Sequence, residues 1–268
     1  MSFSPISPAA LFDLSGRTAL VTGGSVSIGR AIALQLAAAG ADVAIQFSPQ
    51  ADAQFGLADA ASETCAQIVA LLRRGIAIAA DFAEAGAASR IVAEAATALG
   101  RVDILVICAS IQSRQPFEAL SADEIARHVA INFTSTVELL QTALGPMAER
   151  GWGRVLSIGS VNQTRPDAEL SIYAALKAAQ HNLVLNLARR YADRGVTVNT
   201  LSPGLVATER NRWRRRSASA WRSIEQQANP MHRAAEPGDM AGAALLLCSQ
   251  ASSFITGADL QATGGGHL

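Results

Sequence analysis

Short apolar segments alternate with longer helical patterns along almost the whole chain. The segments that predict strands are 18–22, 42–47, 76–80, 102–107, 154–159, 196–201 and 258–262. The segments that predict helices are 28–39, 61–73, 86–99, a long stretch within 121–149, 171–193 and 237–249. Strands that are apolar on both faces belong in a parallel sheet covered by helices. The alternation therefore predicts an α/β fold with a doubly wound parallel sheet in three layers.

Composition narrows the class of protein further. The chain has 268 residues, half of them hydrophobic, so we expect one large domain over residues 1–268. A formal net charge of zero disfavours nucleic-acid or membrane partners, and no apolar run is long enough to span a membrane. The N-terminal stretch lacks signal-peptide features. Cys65, Cys108 and Cys248 form no CxxC pair, so we expect a cytoplasmic protein without a metal site.

A glycine-rich turn joins the first predicted strand to the first predicted helix. It reads TGGSVSIG, from Thr22 to Gly29. Glycine lets the backbone approach a phosphate, and the helix start offers free N–H groups with about half a positive charge. Ser27 stands where a further glycine is expected, and its hydroxyl is a candidate phosphate donor. The turn predicts a dinucleotide cradle, although glycine-rich turns that bind no ligand are also common.

Tyr173 and Lys177 are four residues apart on a predicted helix, which puts both side chains on one face. A phenol with a pKa of about 10 is a poor acid or base at neutral pH. An ammonium about 4 Å away favours the phenolate by up to about 4 kcal/mol at an intermediate dielectric, and desolvation opposes this effect. The pair predicts proton transfer to or from a C–O group. A surface Tyr–Lys helix pair is the alternative.

Further segments accompany this pair in a fixed order, and the whole series resembles the short-chain dehydrogenase/reductase family. The segments are TGGSVSIG, AADFAE, GRVDILV, INFTS, IGSV, YAALK, VNTLSPGLVAT and SSFITGADLQATGG. The resemblance covers nearly the whole chain. The sequence is similar both to 3-oxoacyl reductase-like members and to sugar or polyol dehydrogenase-like members. It implies a single-domain Rossmann-type fold, a homotetramer and an NAD(P)-dependent oxidoreductase. Such an enzyme interconverts a secondary alcohol and a carbonyl by hydride transfer.

The resemblance implies a role for each matching residue. Tyr173 would be the proton donor or acceptor, Lys177 would tune it and hold the nicotinamide ribose, and Ser160 would bond the substrate oxygen. Asn132 would hold a water of the proton relay. Taken singly, Ser160 is equally typical of a strand-end cap and Thr208 of a helix N-cap. The implied cofactor-binding residues are Gly23, Ser25, Ser27, Ile28, Gly29, Ser48, Asp81, Phe82, Ala109, Tyr173, Lys177, Pro203, Gly204, Val206 and Thr208.

Two segments depart from the family pattern. One is Ser27 in the loop, and the other is ICAS, residues 107–110, where the family usually has Asn-Asn-Ala-Gly. Ile107 and Cys108 cannot supply the amide hydrogen bonds of two asparagines, so we expect cofactor affinity or geometry to differ. A catalytically impaired nucleotide-binding or regulatory protein on the same fold is therefore the alternative function. Every implied proton-transfer residue is nevertheless retained.

The end of the second predicted strand bears on the choice of cofactor. An NAD-preferring site usually has Asp or Glu about twenty residues past the glycine loop, where it bonds the ribose 2′-hydroxyl. Here the segment reads IQFSPQ, with Phe47 and Ser48 at that place and no acid. Ser48 is a candidate donor to a 2′-phosphate, but no arginine is evident beside it. The sequence favours NADP(H) over NAD(H) by a small margin.

The segment from Ser202 to about Glu236 is long and has no regular apolar pattern, which is typical of a functional or a disordered segment. The family resemblance implies that residues from about 203 to 236 form a helical lid over the substrate site. Between residues 207 and 233 it carries seven arginines and two glutamates. Arginine binds carboxylate or phosphate groups in a bidentate way. The lid therefore suggests an anionic or polyhydroxylated substrate, such as a sugar acid or oxo acid. A solvated amphipathic helix or a subunit contact is the alternative, and we expect no nucleic-acid partner.

Overall fold

The computed structural model describes residues 5–268, and a seven-stranded parallel sheet lies at its centre. The strands are β1 (Thr18–Thr22), β2 (Asp42–Phe47), β3 (Gly75–Ala79), β4 (Ile104–Ile107), β5 (Gly153–Ile158), β6 (Val196–Pro203) and β7 (Asp259–Ala262). Their order across the sheet is β3-β2-β1-β4-β5-β6-β7, and every neighbouring pair is parallel. The predicted doubly wound Rossmann-type sheet of a single domain is confirmed.

Ten α-helices are found within the described residues. They are α1 (Pro8–Phe12), α2 (Ser27–Ala38), α3 (Pro49–Gln54), α4 (Ala60–Ala70), α5 (Ala87–Leu99), α6 (Ala122–Val129), α7 (Ser135–Glu149), α8 (Ser171–Tyr191), α9 (Ala218–Ala228) and α10 (Ala241–Cys248). A π-helical turn, Ala130–Thr134, joins α6 to α7. The long helical stretch predicted within 121–149 is therefore one continuous helical run with an irregular turn inside it.

The core lies in two layers, one on each face of the sheet. Because side chains alternate along a strand, neighbouring residues of β1 contribute to different layers. Leu20 is buried with residues of α5, α7 and α8, whereas Val21 is buried with residues of α2, α4 and α10. This arrangement explains why the strands are apolar on both faces, and it confirms the three layers predicted from the sequence.

Most predicted element boundaries lie within three residues of the observed ones, but two short helices were not predicted. Helix α3 begins after Ser48, whose hydroxyl accepts a hydrogen bond from the N–H of Ala51 at 3.4 Å. Pro49 occupies the first helical position, where proline is favoured. The Ser-Pro pair was therefore a signal for this helix. Helix α1 begins with a similar cap from Ser7, which accepts from the N–H of Ala10.

The lid is helical, as predicted, although the sequence pattern gave no bounds for its helices. The lid contains a 3₁₀-helix, Glu209–Arg216, followed by α9. Ser217 caps α9 by accepting a hydrogen bond from the N–H of Ala220 at 3.3 Å. Arg215 donates to the carbonyl oxygen of Thr208 at 2.9 Å. Because polar contacts hold the 3₁₀-helix, its residues show no apolar periodicity in the sequence.

The described part of the chain has neither a membrane-spanning helix nor a cluster of metal ligands. Between residues 5 and 268, no helix combines the length and apolar character needed to cross a membrane. Nor does that part contain three or more His, Cys, Asp or Glu side chains grouped so as to hold a metal ion.

Burial raises the pKa of the Cys108 thiol to about 11 and that of Cys248 to about 12, so both thiols are protonated at neutral pH.

Candidate active site

The carboxyl ends of β1, β4, β5 and β6 bring most of the predicted site residues to one edge of the sheet. The direction of strand order reverses at β1, which has β2 on one side and β4 on the other. In open α/β sheets, ligands bind outside the carboxyl ends of the strands at such a reversal. The fold alone therefore indicates a ligand site at this edge.

The loop between β1 and α2 has the shape of a phosphate cradle. Gly23 has a φ of +63°, a left-handed conformation that favours glycine. A Cβ added to Gly29 would lie 2.0 Å from the carbonyl oxygen of Gly23, so a larger residue does not fit there. Gln46 fixes the loop from β2, since its Oε1 accepts from the N–H of Gly23 at 3.0 Å. The start of α2 leaves N–H groups free for an anion, and the cradle fits a dinucleotide pyrophosphate.

Ser27, the residue that replaces a loop glycine, links this cradle to the lid. It adopts a φ of +52°, which is unusual for a residue with a Cβ. Its hydroxyl oxygen accepts a hydrogen bond from the N–H of Glu209 at 3.2 Å. The hydroxyl proton stays available as a donor, so the phosphate contact of Ser27 remains a prediction.

Ser25 and Asp52 form a buried contact beside the same loop. The Ser25 hydroxyl donates to Oδ1 of Asp52 at 3.1 Å. Oδ2 of Asp52 is buried and has no hydrogen-bond partner among the described residues, and burial raises the pKa of this carboxyl group. Sequence reasoning missed Asp52 because it lies on α3, which was not predicted. It also named Ser48, which the structure places as the cap of α3.

The ICAS segment is held by bonds that replace those expected from asparagines. The hydroxyl oxygen of Thr22 accepts from the N–H groups of Cys108 at 2.9 Å and Ala109 at 3.1 Å. Arg210 of the lid donates to the carbonyl oxygen of Ser110 at 2.6 Å and to its hydroxyl at 3.0 Å. The main chain after β4 is therefore fixed at both ends although the two amides are missing.

Asn132 fixes the chain immediately after this segment. Its Oδ1 accepts from the N–H of Ile111 at 2.8 Å, and its Nδ2 donates to the carbonyl oxygen of Ile111 at 2.9 Å. Asn132 is buried inside the π-helical turn, a kind of irregularity that often marks functional sites. The structure thus gives Asn132 a bracing contact, and its part in a proton relay stays a prediction.

Tyr173 and Lys177 lie together on the buried face of α8. Their exposed fractions are 7% and 2%, and the Lys177 ammonium is 5.9 Å from the centre of the Tyr173 ring. Nζ of Lys177 donates to the carbonyl oxygen of Ile158, at the end of β5, at 2.6 Å. It also donates to Oε1 of Gln180 at 3.0 Å. Burial lowers the pKa of Lys177 to about 8.

Ser160 follows β5 and caps the short 3₁₀-helix Val161–Gln163. Its hydroxyl accepts from the N–H of Asn162 at 3.2 Å and lies 3.2 Å from Oδ1 of the same residue, to which it donates. The strand-end cap considered from the sequence is therefore present. Ser160 is also two residues beyond Ile158, the last residue of β5, whose carbonyl oxygen accepts from Lys177.

The chain from β6 to the lid passes close to the end of β7. A Cβ on Gly204 would lie 3.0 Å from Cα of Thr263, which requires a small residue. Val206 is buried and pairs in a parallel bridge with Ala235. Thr208 stands at the start of the 3₁₀-helix of the lid. These contacts fix the segment that the resemblance assigns to the nicotinamide side.

The remaining predicted cofactor residues have varied surroundings. Asp81 forms an ion pair with Arg127 of α6 at 3.5 Å. The Phe82 side chain packs in the hydrophobic core, which leaves only its backbone for a cofactor. Ile28 lies in the first turn of α2, and Pro203 is the last residue of β6.

A cleft of about 400 Å³ opens between α3 and α6. Ser48 and Gln50 line it on one side, and Arg127 and His128 line it on the other. The sequence showed no arginine near the end of β2, because Arg127 is 79 residues away from Ser48 and only the fold brings them to one cleft. Arg127 is therefore a cation close to the end of β2 that sequence reasoning missed.

Four lid arginines donate hydrogen bonds to other groups of the protein, namely Arg210, Arg212, Arg215 and Arg233. Arg214 has different surroundings. Arg114 bonds Asp167 at 2.8 Å and Glu169 at 3.1 Å, and these three charges act on Arg214. Arg214 is half-buried, and no carboxylate of residues 5–268 lies within 4 Å of its guanidinium. Burial, followed by the charge of Arg114, lowers the pKa of Arg214. Its charge is therefore only partly balanced.

Comparison with known proteins places the chain in one family. The sequence model described as enoyl-(acyl carrier protein) reductase matches residues 23–267. An acetoacetyl-CoA reductase of Allochromatium vinosum is 34% identical over 250 residues, which cover 93% of this chain and 98% of the relative. The chain belongs to the short-chain dehydrogenase/reductase family. The named relatives of this short-chain dehydrogenase/reductase are enzymes, and it is likewise an oxidoreductase of alcohol or keto compounds.

Solved structures agree with this assignment. A 3-oxoacyl (acyl-carrier-protein) reductase of Agrobacterium tumefaciens with NADP bound is 44% identical, with a TM-score of 0.90 over 99% of this chain and 100% of that one. A gluconate 5-dehydrogenase of Burkholderia cenocepacia, in complex with NADP and tartrate, is 28% identical. Its TM-score is 0.86 over 96% of this chain and 98% of that one. Both of these neighbours were solved with NADP bound, and both share the fold of this short-chain dehydrogenase/reductase over almost its whole length.

Proposed function

We propose that Tyr173 is the general acid and base with which this enzyme interconverts a secondary alcohol and a carbonyl compound. The observation that carries the proposal is the buried pair on α8, in which the Lys177 ammonium lies 5.9 Å from the Tyr173 ring. A buried lysine without a carboxylate partner costs folding free energy, so its retention at the ligand-binding edge of the sheet favours a chemical role.

The proposed chemistry assigns one task to each side chain. When bound, the nicotinamide cofactor supplies or accepts the hydride. In reduction, the Tyr173 hydroxyl donates its proton to the carbonyl oxygen, and in oxidation the phenolate takes the proton of the alcohol. The Lys177 ammonium stabilises the phenolate, and Ser160 donates a hydrogen bond to the substrate oxygen. Asn132 holds the water that returns the proton to Tyr173.

The proposed cofactor site runs along the carboxyl edge of the sheet. The cradle of Gly23 and Gly29 fits the pyrophosphate, because the backbone approaches closely there and α2 begins beside it. Lys177 uses two of its three N–H donors within the protein, which leaves the third for a ribose hydroxyl. The other proposed contacts are Ser25, Ser27, Ile28, Ser48, Asp81, the backbone of Phe82, Ala109, Tyr173, Pro203, Gly204, Val206 and Thr208.

NADP(H) is the proposed cofactor in preference to NAD(H). Strand β2 ends at Phe47 and Ser48, so no carboxylate at that strand end repels a 2′-phosphate. Arg127 and Ser48 line one cleft, and together they offer a charge and a hydroxyl to such a phosphate. Glu124 lines the same cleft, and Arg127 also pairs with Asp81, so a bound phosphate would compete with these two carboxylates for the guanidinium. The relatives from Agrobacterium tumefaciens and Burkholderia cenocepacia that hold NADP support the same choice.

An anionic substrate, such as a hydroxy acid or its oxo acid, is the proposed substrate class. Arg214 supports it, because this half-buried guanidinium has no carboxylate within 4 Å among residues 5–268. A substrate carboxylate would balance that charge through a bidentate contact. The gluconate 5-dehydrogenase that was solved with tartrate supports the class by similarity.

Replacement of Tyr173 by Phe tests the proposed function. The variant keeps the ring and loses the transferable proton, so we expect turnover to fall by about 10²- to 10⁴-fold while NADPH still binds. Turnover is followed at the nicotinamide absorbance with ketones, sugars and sugar acids, and binding is followed by NADPH fluorescence. Turnover equal to that of the unaltered enzyme would refute the role of Tyr173. No turnover by either protein would favour the catalytically impaired nucleotide-binding alternative.

We also propose that the enzyme is a cytoplasmic homotetramer without nucleic-acid or membrane partners. The assembly is proposed from the family resemblance, and the C-terminal segment offers two exposed apolar side chains, Phe254 before the edge strand β7 and Leu260 within that strand. Light scattering coupled to size exclusion tests the assembly. A mass equal to that of one 27.8 kDa chain would exclude it.

A further inference from the structure

Gln180 places a buried amide directly beside the ammonium of Lys177. Gln180 is 1% exposed, and its Oε1 accepts from Nζ of Lys177 at 3.0 Å. Its Nε2 donates to Oγ1 of Thr136 on α7 at 2.7 Å. Because an ammonium can only donate, the amide must turn its oxygen towards Lys177 and its nitrogen towards Thr136. The two contacts therefore fix the orientation of the amide.

The same network continues to the π-helical turn. The Thr136 hydroxyl, which accepts from Gln180, donates in turn to the carbonyl oxygen of Asn132 at 3.4 Å. The direction of donation is the same at every step, from the Lys177 ammonium to Gln180, from Gln180 to Thr136, and from Thr136 to the main chain. Helices α7 and α8 are thereby joined through polar groups that are almost entirely buried.

We infer that Gln180 is a positioning residue for Lys177. The amide oxygen of Gln180 holds the Lys177 ammonium so that the third N–H of the ammonium faces the cofactor and Tyr173. The carbonyl oxygen of Ile158 holds the second N–H at 2.6 Å. The inference rests on the proposed function of Lys177 and adds a residue to it. Sequence spacing alone did not identify Gln180, because the acceptor role depends on the burial of both side chains.

The charges around Lys177 make this acceptor important. Three charged or titratable groups act on Lys177. They are Cys108 after β4, Arg210 of the lid, and Tyr173 on the same helix as Lys177. Burial raises the pKa of Cys108 to about 11, so its thiol is neutral when the enzyme works, and Arg210 repels the ammonium. Neutral oxygen acceptors are therefore left to stabilise the charged form, and Gln180 supplies one of them.

Two substitutions with opposite expected effects test the inference. Gln180→Leu removes the acceptor, and Gln180→Glu replaces it with a negative one. We expect the pH midpoint of NADPH affinity to move down by about one unit in the first variant and up by about one unit in the second. NADPH fluorescence without substrate measures affinity, and kcat/KM for NADPH gives a second profile. Gln67→Leu, at an exposed glutamine on α4, is the control and keeps the unaltered profile.

Opposite shifts of the two midpoints would support the inference, because a purely structural role predicts lower stability without them. Midpoints that stay at the unaltered value, or that move in the same direction, would overturn it. Thermal denaturation reports whether the variants fold, and Gln180→Glu carries the test if Gln180→Leu does not. Full turnover by Tyr173→Phe would instead refute the proposed function, so the two failures are distinguishable.

Discussion

The hydroxyl oxygen of Ser27 accepts a hydrogen bond from the backbone N–H of Glu209 at 3.2 Å. This contact joins the first residue of α2, at the cradle, to the first residue of the lid 3₁₀-helix. The two segments are 182 residues apart in the chain. The residue that departs from the family pattern thus connects the predicted cofactor site to the predicted substrate site, and its consequences can be measured.

Ser27→Ala and Ser27→Gly are expected to differ in stability. Both lose the contact with Glu209, which contributes about 1 kcal/mol, but only alanine keeps a Cβ in the left-handed conformation at φ +52°. Such a conformation costs a residue with a Cβ about 1–2 kcal/mol, so Ser27→Gly should melt a few degrees above Ser27→Ala. Thermal denaturation measures the difference. Equal melting temperatures would show that the loop relaxes around the side chain.

Reduction is expected to weaken as the pH rises through about 8. Burial lowers the pKa of Lys177 to about 8, so above that pH the free enzyme loses the ammonium that stabilises the phenolate. A plot of kcat/KM for NADPH against pH should bend downwards there. Lys177→Arg, which stays charged, is expected to lack this bend whatever its absolute rate. The same bend in both proteins would assign it to another group.

Arg214→Ala is expected to weaken the use of carboxylated substrates. Loss of a charged hydrogen bond costs about 1.5–3 kcal/mol, which lowers kcat/KM roughly 10- to 100-fold. A neutral ketone should be reduced equally well before and after the change. Arg216→Ala, at an exposed arginine of the same 3₁₀-helix, is the matched control. An unchanged kcat/KM for every acid tested would exclude the proposed anion contact.

Arg127→Ala is expected to reduce the preference for NADP(H). Arg127 lines the cleft beside Ser48 and is the proposed partner of the 2′-phosphate. Its loss should lower kcat/KM for NADPH about tenfold and leave that for NADH nearly unchanged. Arg90→Ala, which removes an exposed arginine paired with Glu94 on α5, serves as the control. A parallel fall for both cofactors would indicate loss of the ion pair with Asp81 instead.

Elements with a strong apolar pattern were predictable without knowledge of their neighbours. Strands β1 and β2 have the predicted boundaries, and β4 and β6 differ from the predicted ones by two residues. Helix α3 was missed, and the bounds of the lid 3₁₀-helix were not predicted, because caps and arginine contacts hold these two elements. Ser48 begins α3, and Arg215 bonds the carbonyl oxygen of Thr208. Such contacts leave no period in the sequence.

The residues with acid–base chemistry were also visible in the sequence, but their partners were not. The spacing of Tyr173 and Lys177 placed both on one helix face, since that geometry is local. The acceptor that Lys177 finds in Ile158 is 19 residues away, and the arginine that fixes Ser110 is 100 residues away. No spacing rule describes contacts over such separations.

The sequence by itself determined the succession of strands and helices along the chain, the glycine cradle and the Tyr–Lys pair. Each of these depends on backbone geometry within a few turns or on the burial of a repeating apolar pattern. Only the tertiary structure decided that Arg210 fixes the ICAS segment, that Arg127 reaches the cleft beside Ser48, and that Gln180 bonds the lysine. Those contacts exist because the sheet brings distant segments to one edge, and at Gln180 and Lys177 burial also excludes water, so these polar groups bond to each other.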